Sequence, residues 1–169
     1  MYEPAYNLSN LMQNPLQLIV SLYKTADLCQ EAESQSQCLM AVSTVINSIM
    51  MCGNNIEMGV AKEIIQPLLG LWKNSTDGNL VLRRDVLTIV SSILSIITNE
   101  NVEVIHVMVF SLLDTALDPI NRNENSFLFG DALTLWLKLL RFTNRYESSF
   151  GIIYNRVKDV IMQDLEHVK

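Results

Sequence analysis

An all-α solenoid, built from stacked helix pairs, is the fold this sequence predicts. Three observations predict it. Apolar residues recur at helical spacing through nearly all of the 169 residues. One apolar phrase is written three times: AVSTVINSIM (Ala41–Met50), DVLTIVSSIL (Asp85–Leu94) and DALTLWLKLL (Asp131–Leu140). A shorter phrase precedes each copy: SLYK (Ser21–Lys24), GLWK (Gly70–Lys73) and SLLD (Ser111–Asp114).

The period places seven helices, at 15–28, 36–51, 57–73, 80–98, 102–117, 126–142 and 147–166. Six polar, turn-rich breaks separate them. In order these are QEAESQ, CGNN, NSTDGN, TNEN, DPINRNEN and TNRY. Asn99 and Pro119 stand just past two of the helices, where stop signals belong. Period-two alternation is not sustained anywhere, and no Asn-Gly turn joins two apolar runs, so strands are not expected.

The repeated phrases lie 44 and 46 residues apart, and Thr44, Thr88 and Thr134 fall in one column. The unit is therefore a helix pair. Its copies span 15–51, 57–98 and 102–142, and residues 147–166 begin a fourth. A two-helix repeat of about 40–47 residues is the HEAT/armadillo period. One pair cannot bury its apolar face alone, whereas stacked pairs share a continuous core. The expectation is a right-handed superhelical α-solenoid of HEAT repeats, three helix pairs plus one further helix. Within 80–98, Val86, Val90, Ile93, Leu94 and Ile97 share one face, with Ile89 at its margin. Arg84, Thr88, Ser91 and Ser95 lie opposite.

Composition narrows the function. The chain is 49% hydrophobic and 18% charged, enough apolar content for a large core. A net charge of −6 has the wrong sign for binding phosphates, so nucleic acid is not an expected partner. Basic protein partners suit it better. Cys29, Cys38 and Cys52 form no CxxC and have apolar neighbours, which predicts buried, reduced thiols. No signal peptide opens the chain and no apolar run is long enough to span a membrane.

Catalytic constellations are missing from the sequence. His106 and His167 are 61 residues apart without ligands at metal spacing, so no metal or cofactor is expected. Gly59, Gly70 and Gly130 are isolated, which suggests close helix packing. Asp85 and Asp131 each sit near the start of a second helix, where a carboxylate suits the positive end of the dipole. Arg83–Arg84 is either a contact within the stack or a partner contact. Trp72 and Trp136 lie on apolar stripes and are expected in the core. Non-enzymatic protein binding is the expected function. The candidate partner contacts on the concave face of the second helices are Thr44, Arg84, Thr88, Ser95, Thr134, Lys138 and Arg141.

Two motifs carry a family resemblance. The first is IIQPLLGLWKNSTDGNLVLRRD, with Pro67, Leu71, Trp72, Lys73, Leu82 and Arg83. The second is FGDALTLWLKLL, with Asp131, Leu133, Leu135, Trp136 and Leu137, and with Ala132 where the family carries Gly. Over about residues 60–160 the chain resembles the importin-β (karyopherin-β) superfamily, and within it the C-terminal HEAT region of the importin-11 branch. The resemblance implies a piece of a longer receptor that carries protein cargo through nuclear pores, between cytoplasm and nucleus. FG-repeat nucleoporins and Ran-GTP would be partners of that longer protein. The family's main Ran contacts lie in N-terminal repeats that this segment does not resemble, so no residue here inherits them. The alternative is a HEAT scaffold subunit of a complex unrelated to transport.

Overall fold

The computed structural model describes residues 15–75, 79–97, 103–118, 126–141 and 147–167; Asn99 and Pro119 lie outside them. Seven helices run through the described residues: α1 (Pro15–Leu28), α2 (Ala32–Met51), α3 (Met58–Asn74), α4 (Leu80–Ile96), α5 (Glu103–Ala116), α6 (Phe129–Leu140) and α7 (Glu147–His167). All seven coincide with the expected elements. Three bounds shift. α2 starts four residues early. α6 is preceded by a turn at 126–128, and the segment after Ile96 leaves the helix to form a bridge.

The helices form two layers. Odd-numbered helices contact one another in order, α1 to α3 to α5 to α7, and even-numbered helices do the same, α2 to α4 to α6. Each of the first three odd helices also packs on the even helix that follows it. This is the α-solenoid arrangement: three complete helix pairs and one further helix. The column Tyr23, Trp72 and Leu113 is buried in all three first helices, as the repeated short phrase requires.

α4 is the axis of the core. Leu82, Val86, Leu87, Ile89, Val90, Ile93, Leu94 and Ile96 are all buried. Ile89, expected at the margin of the apolar face, has no exposed surface. Ser91, expected among the polar residues, is only 6% exposed. Both corrections have one cause: α4 has neighbours on three sides, α2, α3 and α6, so its buried arc is wider than one amphipathic stripe. Each large aliphatic side chain buried there contributes about 2 kcal/mol.

The helix ends are built from local chemistry. Asn79 caps α4, its side-chain oxygen accepting from the Leu82 N–H at 3.2 Å. Arg83 closes the end of α3. Its Nε donates to Ser75 Oγ at 3.0 Å, a terminal nitrogen donates to the Ser75 carbonyl at 3.1 Å, and the guanidinium lies 5.5 Å over the Trp72 ring. Of the two readings of Arg83, the contact within the stack is the one observed. The Ile56 N–H donates to the Ile96 carbonyl at 2.9 Å, forming an isolated parallel bridge between the approach to α3 and the exit from α4.

Other expectations are corrected. A Cβ added at Gly59, Gly70 or Gly130 would meet nothing within 4 Å, so these glycines do not mark close helix packing. Cys52 is exposed, and Cys29 and Cys38 are half-buried rather than buried. Both helix-terminal cysteines stand at chain reversals, where one side of the backbone necessarily faces outward. The Tyr23 hydroxyl is buried and bonds to no group among the described residues; its burial pushes the phenol pKa far up.

Gly53 has the one structural role among these glycines. Its φ is +70°, its N–H donates to the Met50 carbonyl at 3.0 Å, and Asn54 N–H donates to the Ile49 carbonyl at 3.3 Å. That pair of bonds is a Schellman end to α2. Gly53→Ala is expected to cost about 1 kcal/mol through the left-handed backbone alone, since its Cβ has room. Thermal melts should show a fall in Tm of about 3 °C.

Candidate functional site

The repeated Asp column has a different task from the one expected. Asp85 lies six residues into α4, and the first turn of α4 holds no acidic residue. Its carboxylate accepts a hydrogen bond from the Ser36 hydroxyl of α2. Asp131 does stand in the first turn of α6, and it pairs with Arg84 of α4, Nε to Oδ2 at 3.2 Å. So each Asp reaches back to the preceding second helix. The dipole reading fails for Asp85, where an inter-repeat tie takes its place, and holds for Asp131, which makes such a tie as well.

Lys138 completes the set. Its Nζ donates to the Ser91 carbonyl of α4 at 3.0 Å. Burial pushes its pKa down, and Arg141 pushes the same way. An ammonium bonded to an otherwise buried carbonyl is a strong local restraint. Arg84 also stacks over Phe127, 5.5 Å from the ring centroid. Two of the expected partner contacts, Arg84 and Lys138, are therefore engaged between α4 and α6.

The other five candidates face outward. Thr44, Thr88, Thr134 and Ser95 are exposed on the second helices, and Arg141 is exposed just past α6. Thr44 Oγ1 donates to the Met40 carbonyl at 2.9 Å and Thr134 Oγ1 to the Gly130 carbonyl at 3.0 Å. Ser95 does the same to the Ser91 carbonyl at 3.2 Å. These hydroxyls thus satisfy their donors on their own helix and present lone pairs to solvent. The column that the sequence aligned is a real face of the second-helix layer.

Apolar residues on that face were missed by the sequence reading. Met40 is 62% exposed and Val81 is 54% exposed. They line a cleft of about 410 Å³ between the starts of α2 and α4, together with Ala32, Glu33, Ser36, Gln37 and Asn79. Phe127, one repeat after Val81, is exposed on the same side. The signal was present: Val81 and Phe127 lie 46 residues apart, the same offset as Asp85 and Asp131.

The remaining candidates are structural. His106 is buried and its ring stacks on Phe110 with centroids 6.1 Å apart; burial holds its pKa below the ordinary histidine value. Trp72 is in the core, whereas Trp136 is half-buried and packs on Phe150. Among the described residues, no three His, Cys, Asp or Glu side chains converge as metal ligands. No helix among them is long and apolar enough to cross a membrane. Comparison with protein-family models, with curated proteins and with solved structures finds no match.

Burial raises the Asp85 pKa above the ordinary aspartate value, against the opposing pulls of the Ser36 hydrogen bond and of Arg84. A carboxyl held above its unfolded value loses stability as pH rises through its folded value. Asp85→Asn keeps an acceptor for Ser36 and removes that loss. The expected outcome is a higher Tm than wild type at pH 7. The gain disappears below about pH 4, where both side chains are neutral. Melts at the two pH values check it.

Proposed function

We propose that this chain is a non-catalytic, protein-binding HEAT segment of a nuclear transport receptor. The observation that carries the binding reading is the cleft between α2 and α4, with Met40 and Val81 exposed at its rim. Large apolar side chains left at a polar surface favour a partner that removes them from water. Glu33 lines the cleft and Asp85 lies beside Ser36, so an extended protein segment with an apolar side chain and flanking basic residues is the complementary ligand. The Thr44, Thr88 and Thr134 hydroxyls supply acceptors along the same layer, and Arg141 a cation at its end.

The transport role is supported by the two sequence motifs, Pro67–Arg83 and Asp131–Leu137, whose residues form the end of α3, the start of α4 and the body of α6. Cargo on the second-helix layer, FG-repeat nucleoporins and Ran-GTP on the longer receptor, and passage between cytoplasm and nucleus belong to this proposal.

Two measurements test it. The longer receptor, tagged in cells, is expected to shuttle and to concentrate at the nuclear rim, and to be retained on immobilised FG-repeat peptide. A receptor that does neither removes the transport role. For the binding face, Met40→Asn is expected to weaken capture of basic cargo by about tenfold with an unchanged Tm, because the side chain is exposed and its apolar surface is what the ligand covers. Unchanged capture removes the cleft.

A further inference from the structure

Cys29 and Cys38 meet across the turn between α1 and α2. Both are free and half-buried. Cys29 is the first residue past α1, and its N–H still donates to the Thr25 carbonyl at 3.1 Å. Gln30 and Glu31 then lead into α2. Gln35, near the start of α2, donates from Nε2 to the Cys29 carbonyl at 2.9 Å. Cys38 follows Gln35 by three residues, so the two share one face of α2, a turn apart. Residue 29 is therefore held against the strip of α2 that carries Cys38, and the two thiols interact directly.

That contact has a polarity. Cys38 packs against the core, and burial raises its thiol pKa. Negative charge on Cys29 raises it further, and so does the hydrogen bond between the two sulfurs. A hydrogen bond that raises a pKa holds the proton in place, so Cys38 donates and the Cys29 sulfur accepts. When the pair gives up one proton, the thiolate sits on Cys29, in the turn, and Cys38 keeps its proton behind it. The thiolate is the reactive form of a cysteine.

We propose that Cys29 and Cys38 are a reactive dithiol that hydrogen peroxide closes into an intramolecular disulfide. The Cys29 thiolate attacks one peroxide oxygen. The O–O bond breaks, the other oxygen leaves as hydroxide and takes back the proton that Cys29 had lost, and Cys29 becomes a sulfenic acid. The Cys38 sulfur then attacks the Cys29 sulfur. The S–O bond breaks, the S–S bond forms, and the hydroxyl leaves with the Cys38 proton as water. The two sulfurs together lose two electrons, and the peroxide gains them. Cys52 caps the other end of α2, about 20 Å along the helix from Cys38, and takes no part. The new bond closes the segment from 29 to 38. Ala32, Glu33, Ser36 and Gln37 lie within it and line the cleft between α2 and α4. Oxidation therefore fixes that wall covalently, whatever the cleft binds.

The test treats the whole reduced chain with hydrogen peroxide, blocks the remaining thiols with N-ethylmaleimide and maps the peptides by mass spectrometry. The expected product is a monomer about 2 Da lighter than the reduced chain before blocking. It carries a Cys29–Cys38 cross-link and N-ethylmaleimide on Cys52. In Cys38→Ser, dimedone should trap a sulfenic acid on Cys29; in Cys29→Ser, Cys38 should give at least about tenfold less adduct. Phenylarsine oxide, which bridges two neighbouring thiols, checks the pair without an oxidant. It should bind wild type and Cys52→Ser, and neither Cys29→Ser nor Cys38→Ser. Any of four results overturns the proposal. The cross-link runs through Cys52; Cys29 and Cys38 are blocked or oxidised to sulfinic acids with no cross-link between them; the cross-link forms only once circular dichroism shows the helices lost; or Cys38→Ser binds the arsenical as wild type does.

Discussion

Burial of α4 on three sides is the constraint on which the rest of the structure depends. α2, α3 and α6 all close on it, and its aliphatic side chains link the first unit to the third. The polar ties at its rim contribute far less. Arg84 and Asp131 are 54% and 31% exposed, and such a pair contributes about 0–1 kcal/mol. A single buried Leu87 or Val90 contributes about twice that. What the ties add is register. Two helices with apolar seams can slide past each other by a turn at little cost. Ser36 to Asp85, Arg84 to Asp131 and Lys138 to the Ser91 carbonyl are each satisfied at one offset only.

The same division explains what was legible in the sequence. Helix positions came from the period, because burial of a stripe depends only on spacing along one helix. The Thr column came from the repeat, because equivalent positions in stacked units share an environment. Ser91 was misplaced because a helical wheel carries one core direction and α4 has three. Asp85 was misread because distance from a helix start is visible in sequence, whereas a partner 49 residues away is not. The open glycines show the reverse limit: a small residue permits close approach but does not summon a neighbour. Met40 and Val81 were hidden among apolar residues that looked like core.

The second-helix layer mixes back-bonded hydroxyls, a cation and isolated apolar side chains around a cleft. Such a surface suits an extended segment read residue by residue. Where α6 meets α7, Trp136, Phe150 and Tyr154 instead form a continuous row of rings. α7 is held to α5 by Arg156, which pairs with Asp114 at 2.7 Å and Asp118 at 3.4 Å. That network fixes the angle of the row from the opposite side of α7.

The Ile56–Ile96 hydrogen bond has a mechanical meaning. The chain arrives at α3 beside Ile56 and departs from α4 beside Ile96, so one bond pins the two ends of the middle unit together. Tension applied along the backbone enters and leaves that unit at nearly the same point. It passes through the bridge and bypasses the packed helix pair. The middle unit keeps its length until a single amide–carbonyl contact gives way, and then its two helices part as one event.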